Sequence, residues 1–155
     1  MSWGVKMSNE IDFSYLNNVL TKKQMQLIGF AAAGVIQEET QDKGIDQNGK
    51  RFKPYSRDYA RWRQAQPQRY GTRVDLTLTG HMLNSMKVIR ATDRTVTLGF
   101  IDSTPAGGGL RPSQKMEFTN KIRPWFGFGR KGSKRRDRIQ QIGSEIYIEA
   151  LTRQS

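Results

Sequence analysis

Residues 87–100 read KVIRATDRTVTLGF. Two short runs rich in β-branched residues flank Thr92-Asp93-Arg94, a polar trio suited to a turn. Val96, Leu98 and Phe100 alternate with smaller or polar side chains, the period of a strand with one buried face. The stretch predicts a β-hairpin. A lone hairpin is marginal in water, so the rest of the chain must supply its cover.

Upstream, VDLTLTG (74–80) alternates as strictly: Val74, Leu76 and Leu78 against Asp75, Thr77 and Thr79. This predicts a further half-buried strand. Thr79 is placed to cap a short helix whose inner side carries Met82, Leu83 and Met86. Further back, TKKQMQLIGFAAAGVIQEETQDKG (21–44) puts Met25, Ile28, Ala32, Val35 and Ile36 on one helical stripe. Thr21 is its expected N-cap and Gly44 its C-terminal stop. Gly29 and Gly34 cost a helix about 1 kcal/mol each, a cost that close packing would explain. At the other end, KRRDRIQQIGSEIYIEALTR carries Ile139, Ile142, Ile146 and Ala150 on one stripe.

The connections are read by their punctuation. Asn48-Gly49 marks a tight turn with Asp46 able to cap it. The calcium-loop pattern that Asp46-x-Asn48-Gly49 begins is not completed by a glutamate at the required spacing. Ser56 caps a short helix ending before Pro67, and Tyr55, Tyr59 and Trp62 form a stripe expected in the core. DSTPAGGGLRPS (102–113), with Gly107, Gly108 and Gly109, predicts a flexible loop. QKMEFTNK is expected to be one or two helical turns. Residues 1–20 read as an arm, and 21–155 as one domain.

Composition narrows the chemistry. The 155 residues include 26 basic and 14 acidic side chains, for a net charge of +12, with a hydrophobic fraction of 35%. Residues 1–77 hold 12 basic and 8 acidic side chains, residues 78–155 hold 14 and 6, so the excess lies in the second half. Such a balance points to an anionic neighbour. The absence of cysteine excludes disulfides, thiolate metal sites and thiol nucleophiles. No apolar run reaches the roughly 18 residues of a membrane span. The N-terminus lacks the apolar core of a secretory signal, so export by the general route is not expected. His81 stands without a clustered carboxylate, the carboxylates are scattered, and Gly107–Gly109 lacks the Lys-Ser/Thr of a phosphate loop. No enzyme is expected, and no metal or cofactor.

The remaining chemistry lies in RPWFGFGRKGSKRRDR (123–138). Six basic residues, Arg130, Lys131, Lys134, Arg135, Arg136 and Arg138, crowd into nine positions. With Arg123 they could neutralise phosphates, giving salt-dependent affinity without base reading. No recognition-helix motif accompanies them.

Four stretches occur in a telling order. Gly44, Asp46, Gly49, Lys50, Phe52, Pro54, Tyr55, Ser56, Tyr59 and Ala60 are followed by LTLTGHMLNSMKV (76–88), VTLGF (96–100) and RPWFGF (123–128). Over about residues 25–150 this order resembles the tailed-phage virion morphogenesis family, the tail-completion and head–tail neck proteins. The chain departs from the family pattern in GGGLRPSQKMEFTNK, where no histidine stands. The resemblance implies an α+β domain: a small twisted antiparallel sheet packed by an N-terminal and a C-terminal amphipathic helix, with a long flexible loop. It implies a structural protein of the virion, assembled in the host cytoplasm as a ring, six copies suiting a tail axis. Its partners would be copies of itself, the head connector on the portal side, tail tube or sheath proteins, and genomic DNA passing through the lumen; a membrane would not be among them. In such a ring Trp125, Phe126 and Phe128 could anchor a subunit interface, while Trp125 and Phe126 could equally pack in the monomer core as a strand after Pro124, a role compatible with the first. The basic block would face DNA or the acidic rim of a neighbour. The glycine loop at Gly107–Gly109 would order on assembly. The alternative expectation is a free, sequence-independent DNA-binding protein.

Overall fold

Helix α1 begins where its sequence says. Thr21 accepts a hydrogen bond at Oγ1 from the amide of Gln24 (3.2 Å), and the Gln24 side chain accepts from the Thr21 amide (2.8 Å). This reciprocal box satisfies two otherwise orphaned donors. The computed structural model describes residues 10–12, 20–66, 74, 81–101 and 110–154. In order, these form β1 (Glu10–Asp12), α1 (Lys22–Glu38), a π-helical turn (Glu39–Lys43), α2 (Arg57–Ala65), α3 (His81–Asn84), β2 (Met86–Ala91), β3 (Thr95–Phe100), α4 (Pro112–Ile122) and α5 (Lys134–Gln154). The architecture is α+β.

The hairpin stands as expected. β2 and β3 pair antiparallel, with Val88 opposite Leu98 and Ala91 opposite Val96; the register slips between Val88 and Arg90. Thr92 holds the turn: its hydroxyl accepts from the amides of Arg94 (3.2 Å) and Thr95 (2.9 Å). β1, part of the N-terminal arm, pairs with the other side of β3, giving the order β1-β3-β2. Val96, Leu98 and Phe100 are buried.

Helix α1 covers this sheet with Met25, Ile28, Ala32, Val35 and Ile36. Each large side chain so buried contributes about 1.5–3 kcal/mol. Gly29 makes the close approach possible: a Cβ there would lie 2.6 Å from methyls of both Val88 and Val96. A Cβ at Gly34 would meet no described atom within 4 Å, so packing among the described residues explains only the first glycine. The helix ends through a wider turn that the sequence did not announce, in which the Glu39 carbonyl accepts from Ile45 (3.1 Å) and from Gly44, itself left-handed. Helix α5 lies against α1 and buries Ile139 and Ala150, with Ile142 and Ile146 packed on the core.

One stripe turns outward at two of its three members, Tyr55 alone packing on the core as expected. Tyr59 and Trp62 of α2 are 37% and 45% exposed, and the buried residue is Arg63 at 2%. Its guanidinium sits 4.9 Å from the Tyr55 ring centre and 5.9 Å from that of Tyr59. An arginine stem is apolar and its planar head stacks on aromatic faces, so Arg63 fills the inner side while the Tyr59 and Trp62 rings stack outside it, 5.6 Å apart. The expected strand at 74–80 lies outside the described residues, apart from Val74, which is buried. So do Thr79, Pro67 and the glycine triplet Gly107, Gly108 and Gly109, as does the side chain of His81.

Candidate functional site

The segment from Arg123 to Arg138 is built inward first. Trp125, Phe126 and Phe128 are 0–1% exposed. Phe100 meets Trp125 edge-on at 6.1 Å and Phe126 at 4.9 Å, with Trp125 and Phe126 5.5 Å apart. The Trp125 indole donates to Thr119 Oγ1 (2.9 Å) and the Phe126 amide to Asn120 Oδ1 (2.9 Å), so α4 fastens the run. The expected subunit anchor is therefore corrected: these three rings fill the core of their own chain and offer no surface. The physical reason is supply. Phe100 at the end of β3 and α4 leave an apolar hollow, and the aromatic run is the nearest filling.

The basic block divides. Arg135, expected to face DNA or an acidic partner, is 2% exposed. Its Nε donates to Glu39 Oε1 (2.9 Å), and its Nη1 donates to the carbonyls of Trp125 and Gly127. Burial pushes its pKa below the usual arginine value, and the Glu39 carboxylate pulls it partly back; the guanidinium stays charged throughout. Arg136, also expected to face outward, is half-buried and donates from Nε to the Gly129 carbonyl (2.9 Å). Arg138 stays exposed but pairs with Glu38 (2.8 Å). Arg130, Lys131 and Lys134 are exposed. Two of the block's six cations, Arg135 and Arg136, are thus architectural, because a glycine-rich loop without its own ladder needs donors for its carbonyls.

Two distant stretches meet here. The Gln47 amide donates to the Pro124 carbonyl (2.9 Å), Gly129 donates to Gln47 Oε1 (3.3 Å), and Arg130 to Asn48 Oδ1 (3.1 Å). Asp46 caps the turn, accepting from Asn48 (2.8 Å) and Lys50 (3.0 Å). The exposed Lys50 and Arg51 therefore stand on the turn that touches Arg130, an enlargement of the basic face that no local pattern showed. Gly129 has φ +80°, and a Cβ there would lie 2.5 Å from the Gln47 carbonyl oxygen. Gly129→Ala is expected to cost about 1–3 kcal/mol, read as a lower urea midpoint at unchanged slope. An unmoved midpoint would mean that the loop is not held against the turn.

On another side, α2 and α4 enclose a groove of about 780 Å³. Arg123 shapes one wall: it donates from Nε to the Lys53 carbonyl (2.7 Å) and from Nη2 to that of Pro54 (3.1 Å), with its guanidinium 5.0 Å from the Tyr55 ring. Tyr59, Phe118 and Ile122 line the groove beside Arg63 and Lys53. Phe118 is 66% exposed and Ile122 50%.

Among the described residues, no three His, Cys, Asp or Glu side chains gather as a metal site, and no helix is long and apolar enough to cross a membrane. Comparison with protein families, curated proteins and solved structures finds no match to this chain.

Proposed function

We propose that this chain is a structural adaptor of a tailed-phage virion, a ring-forming neck or tail-completion protein that joins head connector to tail around the DNA path. The observation that carries this reading is the ordered motif set, whose first and last members are one unit in the fold. The 46–54 stretch is hydrogen-bonded to Arg123, Pro124, Gly129 and Arg130. Residues spaced so far apart, resembling one family and clasped together, are what a shared scaffold requires. Leu27, Phe30, Phe118, Ile122, Ile148 and Leu151 are exposed, and apolar faces of this kind favour association.

The free DNA-binding reading is weakened by the division of the basic block. Of the block's four exposed cations Arg138 is paired with Glu38; the other three, Arg130, Lys131 and Lys134, would give a salt slope near −3 at about −0.9 per phosphate. That suits loose contact with passing DNA better than independent capture.

Light scattering on the purified protein, with and without duplex DNA, phage connectors and tails, tests the proposal. The expected result is a ring-sized species, or a monomer that gains mass on connectors or tails. Weak duplex binding should fade with salt, and replacing Arg130, Lys131 and Lys134 with Gln should flatten its slope with stability within about 0.5 kcal/mol of wild type. A strict monomer that stays off connectors and tails and moves wholly onto DNA at low salt would overturn the adaptor.

A further inference from the structure

The groove between α2 and α4 has no described segment in it, and its chemistry is one-sided. Its lining holds Lys53, Arg63 and Arg123 and, among the described residues, no carboxylate. Its apolar part is Tyr59, Phe118 and Ile122. Aromatic side chains and arginine around an apolar centre are the composition of an interface core. The occupant it calls for carries aliphatic side chains flanked by carboxylates.

One exposed element of the same chain has that composition. The C-terminal half of α5 exposes Ile148 (60%) and Leu151 (42%). Glu145 and Glu149 are exposed on the same stretch, and Glu145, Ile148, Glu149 and Thr152 fall at the i, i+3, i+4, i+7 spacing of a single helix face. Arg153 pairs with Glu149 (2.5 Å), but an exposed pair of this kind is worth little and yields readily to a competing cation.

We propose that the α2–α4 groove of one copy receives the acidic, apolar face of α5 from the next copy. The two patches differ, so the contact is heterologous: every copy offers one groove and one helix face. Repetition of such a contact closes into a ring or runs on as a filament. From the adaptor reading the proposal takes only that the chain self-associates. It names the surfaces.

The chain has no cysteine, which permits a clean test. Phe118→Cys marks the groove and Ile148→Cys marks the helix face; both positions are more than half exposed, so the fold should tolerate them. The full-length variants are mixed and treated with a short bis-maleimide. The expected product is a covalent dimer at twice the 17.8 kDa chain mass from the mixture, at least tenfold more than from either variant alone. A chain carrying both cysteines should give a ladder of higher multiples. Adding Glu145→Lys and Glu149→Lys to the Ile148→Cys chain should cut the dimer tenfold or more. No product from the mixture, or equal product from Phe118→Cys alone, would overturn the contact. Cross-linking without binding to connectors or tails would remove the adaptor and leave the contact standing; binding without cross-linking would do the reverse.

Discussion

Arg135→Ala should destabilise the fold by about 3–5 kcal/mol, the cost of breaking a buried ion pair by removing one partner. The Arg135 side chain is 1% exposed and that of Glu39 is 7% exposed. Without the guanidinium, Glu39 is left in the interior without its cation, and the carbonyls of Trp125 and Gly127 lose their shared donor. Against a total stability of about 5–15 kcal/mol for a domain, that loss is large. Denaturant unfolding of the variant reads it directly. Replacing the pair together, Glu39→Met with Arg135→Leu, should recover much of the loss, because well-packed apolar residues often match a buried pair. Recovery should be incomplete here, since the two loop carbonyls stay unserved. The neighbour Arg130, exposed on the same run, should change stability by less than about 0.5 kcal/mol when truncated. If Arg135→Ala and Arg130→Ala cost the same, the division of the basic block into architectural and exposed members is wrong.

That division shows where a sequence stops being legible. Helix α1, the hairpin and α5 could be read because their signals are local: a stripe of period 3.6, an alternation of period 2, a threonine where a cap belongs. The turn at Asp46–Lys50 was legible for the same reason. Arg135 was not, because the window around it is dominated by other exposed-looking cations, and its partner Glu39 lies 96 residues away. Arg63 misled for a related reason. Patterns score arginine as surface and tyrosine as core, whereas α2 buries the arginine stem and leaves two rings outside. The groove was equally hidden, since Arg123 builds its wall through carbonyls 70 and 69 positions away. Which atoms of the motif segments face water depends on pairings that only the folded chain brings together.

Trp125→Ala should cost about 3–5 kcal/mol, the usual range for truncating a large buried aromatic residue. Two contributions add. The indole is wholly buried against Phe100 and Phe126, and its removal leaves a cavity in a core that relaxes only in part. Its Nε1 also donates to Thr119 Oγ1, which in turn donates to the Lys115 carbonyl (2.8 Å). Thr119 keeps that second bond in the variant, so no hydroxyl is stranded and the loss is chiefly one of packing. Trp125→Phe should therefore cost clearly less than Trp125→Ala. The consequence reaches the groove, because α4 carries Phe118, Thr119 and Ile122 in its wall and Trp125 is bonded to that helix at Thr119. An interface anchor and a core residue predict different orders of events. Loss of an anchor gives a folded monomer with wild-type unfolding and lower assembled mass. Loss of a core residue lowers the unfolding midpoint first, with assembly failing only as the fold loosens. Denaturant unfolding and light scattering on one preparation of Trp125→Ala separate the two, and a normal midpoint with reduced mass would return Trp125 to the surface of the assembly. Phe118→Glu should show the opposite behaviour, keeping the midpoint and losing the mass: its ring is 66% exposed in the single chain, so the fold has little burial to lose there, and a carboxylate in its place would meet the acidic face of the second copy.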